Sequence, residues 1–338
     1  MKVYAFKYKE EEVLKSSSGG AFIALCEMFI KINHKKSCSF YGCIMTNELE
    51  VEHKRVTKIQ ECHLFQGSKY VRSNINGIYQ QVEEDLKCNY AVMFSGTPCQ
   101  VNGLKIYLQR KMISTENLLL VDLICHGSPK RNVWTDYKNW LEEKYHSKLT
   151  DFSFRYKPAG WNSYPGYAKF QSGKELINTP ETSIFSVLHM KGLSIDKSCF
   201  ECKFANLNRV GDITLGDFWG IEKEMPNINY RTGTSLVLSN SEKGDKLLLE
   251  IKENEEIQFL YKIETDNYIN YQHNLKAPTK KPQEYEDFWI SYKKCSFNEM
   301  ICRYVNYGIM YKVKFGVRKM IKMTPIITLY RKYIKCYK

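Results

Sequence analysis

No apolar run in this sequence is long enough to cross a membrane. An uncharged stretch of roughly 20 residues would be needed, but the run 21–32 is interrupted by Glu27 and the run 118–125 by Asp122. The opening Met-Lys-Val-Tyr-Ala-Phe-Lys-Tyr-Lys-Glu has no apolar h-region and no small-residue cleavage site. No signal peptide is expected, and the expected setting is cytoplasmic. Internal repeats and low-complexity linkers are absent, as are the dinucleotide G-x-G-x-x-G and a Walker loop. Disorder is excluded as well: 43% of the 338 residues are hydrophobic and 26% charged, a globular composition.

Acidic residues are scarce at one end only. Residues 276–338 hold 15 Lys and Arg against 4 Asp and Glu, whereas the first 275 residues hold 35 against 33. The formal net charge of +13 therefore belongs almost entirely to a tail. A near-neutral body lacks the basic face that nucleic-acid binding requires. In the tail, Tyr285, Phe288, Trp289 and Tyr292 fall on one helix face, and Tyr304, Tyr307, Tyr311 and Phe315 repeat the spacing. Arg303, Lys312, Lys314, Arg318, Lys319 and Lys322 occupy much of the rest. Three readings stand side by side: a solvated helical extension packed on the body, a helix on anionic lipid at the inner membrane surface, or a docking element for an acidic partner.

The 12 cysteines include only one C-x-x-C pair, Cys199 and Cys202. Without a signal peptide, disulfides are not the first expectation, and clustered thiols point to metal or redox chemistry. Cys99, in Gly96-Thr97-Pro98-Cys99-Gln100, and Cys125, in Asp122-Leu123-Ile124-Cys125-His126-Gly127, each follow an apolar strand-like run. Strand C-termini of α/β sheets are where ligand sites gather. With Cys199 and Cys202 they make four thiolates, the number that holds a cubane iron–sulfur cluster or a structural zinc; spacing alone does not separate the two. Cys26, Cys38, Cys43, Cys62 and Cys88 read as small core hydrophobes, and Cys295, Cys302 and Cys336 as incidental.

Hydrophobic patterning predicts strands at 3–6, 40–45, 51–56, 90–94 and 118–124, alternating with helices at 21–32, 78–88, 101–111 and 132–145. That is an α/β arrangement over 1–150. From 151 the texture becomes α+β, with strands at 151–155, 167–170, 212–216 and 235–239 and a helix at 244–253. The predicted architecture is a mixed sheet flanked by helices, with a C-terminal helical basic extension. Residues 1–150 and 151–280 form two halves of one unit, and 281–338 the tail. The Ser/Gly loop Lys15-Ser16-Ser17-Ser18-Gly19-Gly20 opens a helix, and backbone N–H groups at such a start suit a phosphate; the same pattern also serves as a plain N-cap.

Six motifs occur in order: Lys15-Ser16-Ser17-Ser18-Gly19-Gly20-Ala21-Phe22, Gly96-Thr97-Pro98-Cys99-Gln100, Asp122-Leu123-Ile124-Cys125-His126-Gly127, Phe154-Arg155 with Gly160-Trp161, Ser198-Cys199-x-x-Cys202-Lys203-Phe204-Ala205, and Asp212-Ile213-Thr214-Leu215-Gly216-Asp217-Phe218-Trp219-Gly220. Together they resemble the β-subunit family of coenzyme F420 hydrogenase and dehydrogenase, over about residues 1–280. The resemblance implies an oxidoreductase carrying FAD beside a 4Fe-4S cluster. It would pass electrons between the cluster and a hydride carrier, coenzyme F420 among the candidates, or an organic substrate. Polysaccharide biosynthesis is one setting compatible with it.

Carried over by motif, Cys99, Cys125, Cys199 and Cys202 would be the cluster ligands. Ser16, Ser17, Ser18, Gly19 and Gly20, with Thr97, Asn206, Arg209 and Asp217, would line the flavin site, and His126 would be a candidate proton donor. The ferredoxin-like C-x-x-C-x-x-C-x-x-x-C-P run of many members occurs nowhere in this sequence. A separate ferredoxin or electron-transfer subunit is thus the expected electron partner. The alternative is a zinc-stabilised binding or scaffold protein that uses the same four cysteines without redox activity.

Overall fold

Apolar strands and amphipathic helices alternate through the first half of the chain in a computed structural model that describes residues 1–159, 161 and 165–323. Gly160, Cys336 and the side chain of Lys322, all singled out above, lie outside the described set. The first half contains β1 (Lys2–Lys7), α1 (Glu10–Lys15), α2 (Ala21–Ile32), β2 (Cys38–Met45), β3 (Val51–Val56), α3 (Ile78–Lys87), β4 (Ala91–Gly96), α4 (Pro98–Arg110), β5 (Leu118–Leu123) and α5 (Arg131–Tyr145). Then follow β6 (Leu149–Ser153), β7 (Tyr167–Phe170), β8 (Glu175–Ile177), α6 (Pro180–Met190), β9 (Ile213–Asp217), α7 (Ile221–Glu224), β10 (Ser235–Ser239), α8 (Glu242–Lys252) and β11 (Phe259–Ile263). The tail forms α9 (Tyr285–Tyr292), α10 (Phe297–Tyr304) and α11 (Ile309–Met323).

Eight strands make one mixed sheet in the order β11-β1-β10-β9-β5-β4-β2-β3, and β6-β7-β8 form a small antiparallel sheet. Strands β2, β4, β5 and β9 run parallel to one another; the rest of the large sheet is antiparallel. Strands β4 and β10 are buried throughout and β5 and β9 along all but their C-terminal ends, as a sheet covered on both faces requires. Helices α2 and α8 cover one face through Ile23, Leu25, Phe29, Leu247 and Ile251. Helices α3 and α4 cover the other through Val82, Val101, Leu104 and Leu108. Each such side chain contributes about 1.5–3 kcal/mol by leaving water.

A second core gathers α5, α6, the small sheet and the tail helices around Trp134, whose indole N–H donates to Leu49 O at 2.7 Å amid the rings of Phe152, Phe154 and Phe185. The tail is therefore partly core: Phe288, Met300, Ile301 and Tyr304 are buried.

Two expectations are corrected. The aromatic stripe from Tyr304 to Phe315 is not one helix. It breaks between α10 and α11, where Asn306 takes the left-handed conformation at φ 57°. Of the five cysteines read as core, Cys26 and Cys62 are fully buried, Cys38 and Cys43 are half-buried, and Cys88 is exposed at the end of α3. Cys88 stands just past the last helical turn, outside the apolar stripe of Ile78, Val82 and Leu86.

Candidate active site

Three adjacent parallel strands end on one edge of the sheet. β4 leads into Thr97 and Cys99 at the start of α4, β5 into Cys125 and His126, and β9 into Asp217 and Trp219. The site grows from these ends, where α/β sheets leave a crevice.

The segment that carries Cys199 and Cys202 is tied to that edge by a buried ion pair. Arg209 Nη2 lies 3.0 Å from Asp122 Oδ1, with both side chains essentially inaccessible. The same guanidinium donates to the carbonyls of Phe204, Asn206 and Leu123, while Asp122 accepts the backbone N–H groups of Val210 and Gly211. This clasp holds the segment after Cys202 against the end of β5, immediately before Cys125. A second tie comes from Gly127, at φ +107°. A Cβ there would stand 2.9 Å from Ile195 and 3.4 Å from the Cβ of Cys199, so only glycine lets the two cysteine segments approach. Asp196 N donates to Ser128 O at 3.1 Å alongside.

Cys99, Cys125, Cys199 and Cys202 consequently share one neighbourhood. The Cys125 thiol is pushed up to about 12, first by burial and then by the nearby sulfurs of Cys99, Cys199 and Cys202; an N–H from Gly127 works the other way. Burial also raises Cys199, opposed by the Ser128 N–H and by Arg72, whose Nη2 lies 3.8 Å from its sulfur. Among the described residues, no group of three or more His, Cys, Asp or Glu side chains stands close enough as placed to hold a metal ion. In kind and number the donors fit a metal–sulfur group: four sulfurs, with N–H donors aimed at two of them.

Cys99 is the exposed member, and a chain of polar groups leads away from it. Thr97 Oγ1 is 3.2 Å from its sulfur, and Gln100 Oε1 accepts from Thr97 N at 3.0 Å. Gln100 Nε2 donates to Ser73 Oγ at 2.8 Å, and Ser73 Oγ lies 2.8 Å from His53 Nδ1. His53 Nε2 is 3.0 Å from Ser95 O. A carbonyl only accepts, so Nε2 carries the proton and Nδ1 accepts from Ser73. Burial lowers His53 to about 4, which keeps it neutral.

The Ser/Gly loop lies between α1 and α2, pressed onto the sheet. Gly19 sits so close that a Cβ would be 2.3 Å from Phe6 O, and Gly20 adopts φ +81° to turn into α2. Ser16 Oγ accepts from Gln66, Ser17 Oγ from the backbone and side chain of Ser68, and Ser18 Oγ donates to Thr234 O. Lys157 Nζ donates to the carbonyls of Ser18 and Val13 at 2.5 Å each. Burial, then the Arg155 charge, lowers this lysine to about 7. Beside the loop, Thr234 Oγ1 is buried with no hydrogen-bond partner among the described residues. An orphaned hydroxyl, a cation that titrates near neutrality and an uncapped helix start fit a polar, anionic ligand group.

Between loop and cysteines runs an aromatic bridge. Asp217 Oδ2 pairs with Arg155 Nη1 at 2.5 Å, and Asp217 Oδ1 accepts from the Trp161 indole at 3.3 Å. Trp161 and Trp219 stack with centroids 5.2 Å apart and planes 17° from parallel. Tyr70 feels the charges of Arg155 and Asp217 and packs on His189 at 5.1 Å, which packs on His126 at 5.4 Å.

Comparison with known proteins assigns the chain to a family by its sequence. The profile describing the C-terminal part of the beta subunit of coenzyme F420 hydrogenase/dehydrogenase matches residues 90–264, just over half of the chain. The chain belongs to that family. The family's members are hydrogenase and dehydrogenase subunits, so the chain stands among oxidoreductases. A chain of the F420-reducing [NiFe] hydrogenase complex from Methanosarcina barkeri shares the fold. The likeness has a TM-score of 0.51 at 12% identity, over 81% of this chain and 88% of that one. No curated protein matches in sequence. Three of the motif cysteine segments fall inside the matched family region, whereas the Ser/Gly loop lies before it.

The predicted residues thus divide. Cys99, Cys125, Cys199 and Cys202 are brought together, and Thr97 contacts Cys99 itself. Asp217 is at the bridge but is engaged by Arg155 and Trp161. Arg209 is turned inward to Asp122. Asn206 shapes a turn, donating to Lys203 O and accepting from Asn208 N. His126 is half-buried, lowered by burial, with Nδ1 3.2 Å from Asn274 Oδ1. The sequence reading missed Lys157, Tyr70, His189 and the relay through Ser73. The segment 66–73 has no hydrophobic period, and its only signal is polar and glycine-containing composition.

Proposed function

We propose that this chain is a flavin- and iron–sulfur-dependent oxidoreductase that moves electrons between a 4Fe-4S cluster and a hydride carrier or organic substrate through FAD. The observation that carries this reading is the meeting of three cysteine segments at the ends of β4 and β5, where Gly127 lies against the Cβ of Cys199 and Cys125 feels the sulfurs of Cys99, Cys199 and Cys202. Cys99, Cys125, Cys199 and Cys202 would hold the cluster, with N–H donors from Gly127 and Ser128 and the guanidinium of Arg72 stabilising negative charge on sulfur. The Ser16 to Gly20 loop, Lys157 and Thr234 would receive the phosphate end of the flavin, and Asp217 the neighbourhood of its ring. A flavin accepts electrons singly or in pairs and so joins a one-electron cluster to a two-electron hydride step.

The protein's own part is placement. Rigid strand ends fix the sulfurs, the Arg209–Asp122 clasp fixes the Cys199–Cys202 segment, and the tryptophan stack covers Asp217 from water. Burial lowers His126 and so works against the protonated form from which an imidazole would deliver a proton. Coenzyme F420 is the candidate carrier by family, and a separate ferredoxin or electron-transfer subunit the candidate donor.

The test is purification without oxygen, followed by the visible spectrum and by iron, sulfide and flavin analysis. Flavin bands, broad sulfur-to-iron absorption and about four irons per chain are expected. A colourless protein holding one zinc and no flavin would establish the zinc-site alternative instead.

A further inference from the structure

Helix α11 turns two different apolar faces to two different places. Tyr311 and Phe315 face the body: the Tyr311 hydroxyl is 2.8 Å from Ser183 Oγ, and its ring packs on those of Tyr307 and Phe315. Lys319 Nζ fastens the next turn to Asn178 O at 3.2 Å. On the other side stand Ile309, Met310, Val313, Val317 and Met320, with exposures from 43% to 81%. At 3.6 residues per turn these five fall within one arc of about 100°. Scattered apolar residues on a surface need no explanation, but a continuous aliphatic stripe on a fully formed helix does.

The charge beside the stripe says what covers it. On the helical wheel Lys314 and Arg318 flank one edge and Lys312 the other, and all three are exposed. Residues 309–338 contain nine Lys and Arg and no Asp or Glu. A second copy of this helix would bring like charges together. An acidic protein would meet the cations and leave the aliphatic arc between them in water. An anionic bilayer satisfies both. The arc enters the acyl boundary while the lysine and arginine stems lie along it and place their charges among the headgroups. Among the described residues no helix is long and apolar enough to span the membrane, so contact would be in the interfacial plane.

We infer that α11 is an amphipathic anchor that seats this protein on anionic phospholipid through Ile309, Met310, Val313, Val317 and Met320, flanked by Lys312, Lys314 and Arg318. The inference is independent of the redox chemistry proposed above.

Full-length protein is sedimented with vesicles of phosphatidylcholine alone and of phosphatidylcholine with phosphatidylglycerol, at low and high salt. Binding is expected on the anionic vesicles only, and salt should weaken it. The double variants Val313→Asp/Val317→Asp and Lys314→Glu/Arg318→Glu should each weaken binding about tenfold or more. All four side chains are exposed, so the melting temperature should not move, which separates loss of binding from loss of fold. Absence of binding to anionic vesicles at low salt overturns the inference. So does equal binding to neutral vesicles, or binding untouched by Val313→Asp/Val317→Asp. Retention of an acidic protein with no vesicle binding would assign the face to a protein partner instead.

Discussion

The ring of Tyr70 packs against that of His189 with centroids 5.1 Å apart. That contact joins the two ends of the candidate site. On one side Tyr70 follows Ser68, which is bonded to Ser17 of the Ser/Gly loop. On the other, His189 bonds Gly127 O at 3.1 Å and leans on His126, next to Cys125. The loop and the cysteines are therefore mechanically continuous, and substitutions at one end should be felt at the other.

Thiol accessibility offers the first prediction. In the protein before reconstitution, Cys88, Cys99 and Cys302 are exposed, whereas Cys26 and Cys62 are sealed in the core. Alkylation read by peptide mass spectrometry should label the first three quickly and the last two only after denaturation. After anaerobic reconstitution with iron and sulfide, Cys99 should become protected while Cys88 and Cys302 keep reacting. Cys99 labelled at an unchanged rate would remove it from the ligand set.

Thr97 Oγ1 donates to Gln100 Oε1 at 3.0 Å and sits 3.2 Å from the Cys99 sulfur, so its one proton can turn to that sulfur once it is a ligating thiolate. A hydrogen bond to a ligating sulfur stabilises the reduced, more negative cluster. Thr97→Val should lower the midpoint potential by about 40 mV for each 1 kcal/mol of differential stabilisation lost, while Thr97→Ser retains it. Electrochemical titration followed by electron paramagnetic resonance reads this directly; equal potentials for wild type and Thr97→Val would reduce the residue to its role at the start of α4.

The Arg155–Asp217 pair is nearly inaccessible, at 4% and 14% side-chain exposure. Removing one partner leaves an uncompensated buried charge, so Arg155→Met should cost about 3–5 kcal/mol in urea denaturation. The double variant Arg155→Met/Asp217→Leu should recover a large part of that loss. A double variant as unstable as the two single variants summed would show that the charges do not interact.

Stability should depend on pH at both ends of the range. Burial lowers His53 to about 4 and His189 to about 3, so between roughly pH 6.5 and 4 the unfolded chain binds protons that the native protein refuses. Stability must fall as pH drops through that window, by about 1.4 kcal/mol per pH unit for each unmatched proton. His53→Asn should flatten the slope. Lys157 acts at the other end. With its native value near 7 and an ordinary one near 10.4, the native protein sheds a proton that the unfolded chain keeps. Stability rises from about pH 7 towards 10, and Lys157→Met should abolish that rise. Chemical denaturation across pH tests both windows.

Much of the strand and helix plan was legible in the linear order of residues. α2, β3, β7 and β10 follow directly from local patterning, because an apolar period of 3.6 or 2 is written into consecutive side chains. Helix α6 was overlooked even though Thr179-Pro180 is a start signal, and edge strand β11 carries little apolar alternation to read. The four cysteines could be chosen from their motifs, since strand ends and a C-x-x-C pair are local features.

Distance along the chain hid the rest. Lys157 reaches Ser18 across 139 positions and Arg209 reaches Asp122 across 87. No local pattern encodes such pairings; they exist only once the sheet brings β5, β9 and β10 side by side. Composition and local patterning together determined that this is a near-neutral, cysteine-bearing α/β body with a basic aromatic tail. Only the tertiary structure decided which of Arg209's neighbours claim its donors, which cysteines meet, and which face of α11 the body leaves uncovered. Hydrogen bonding and burial depend on what else arrives at the same place.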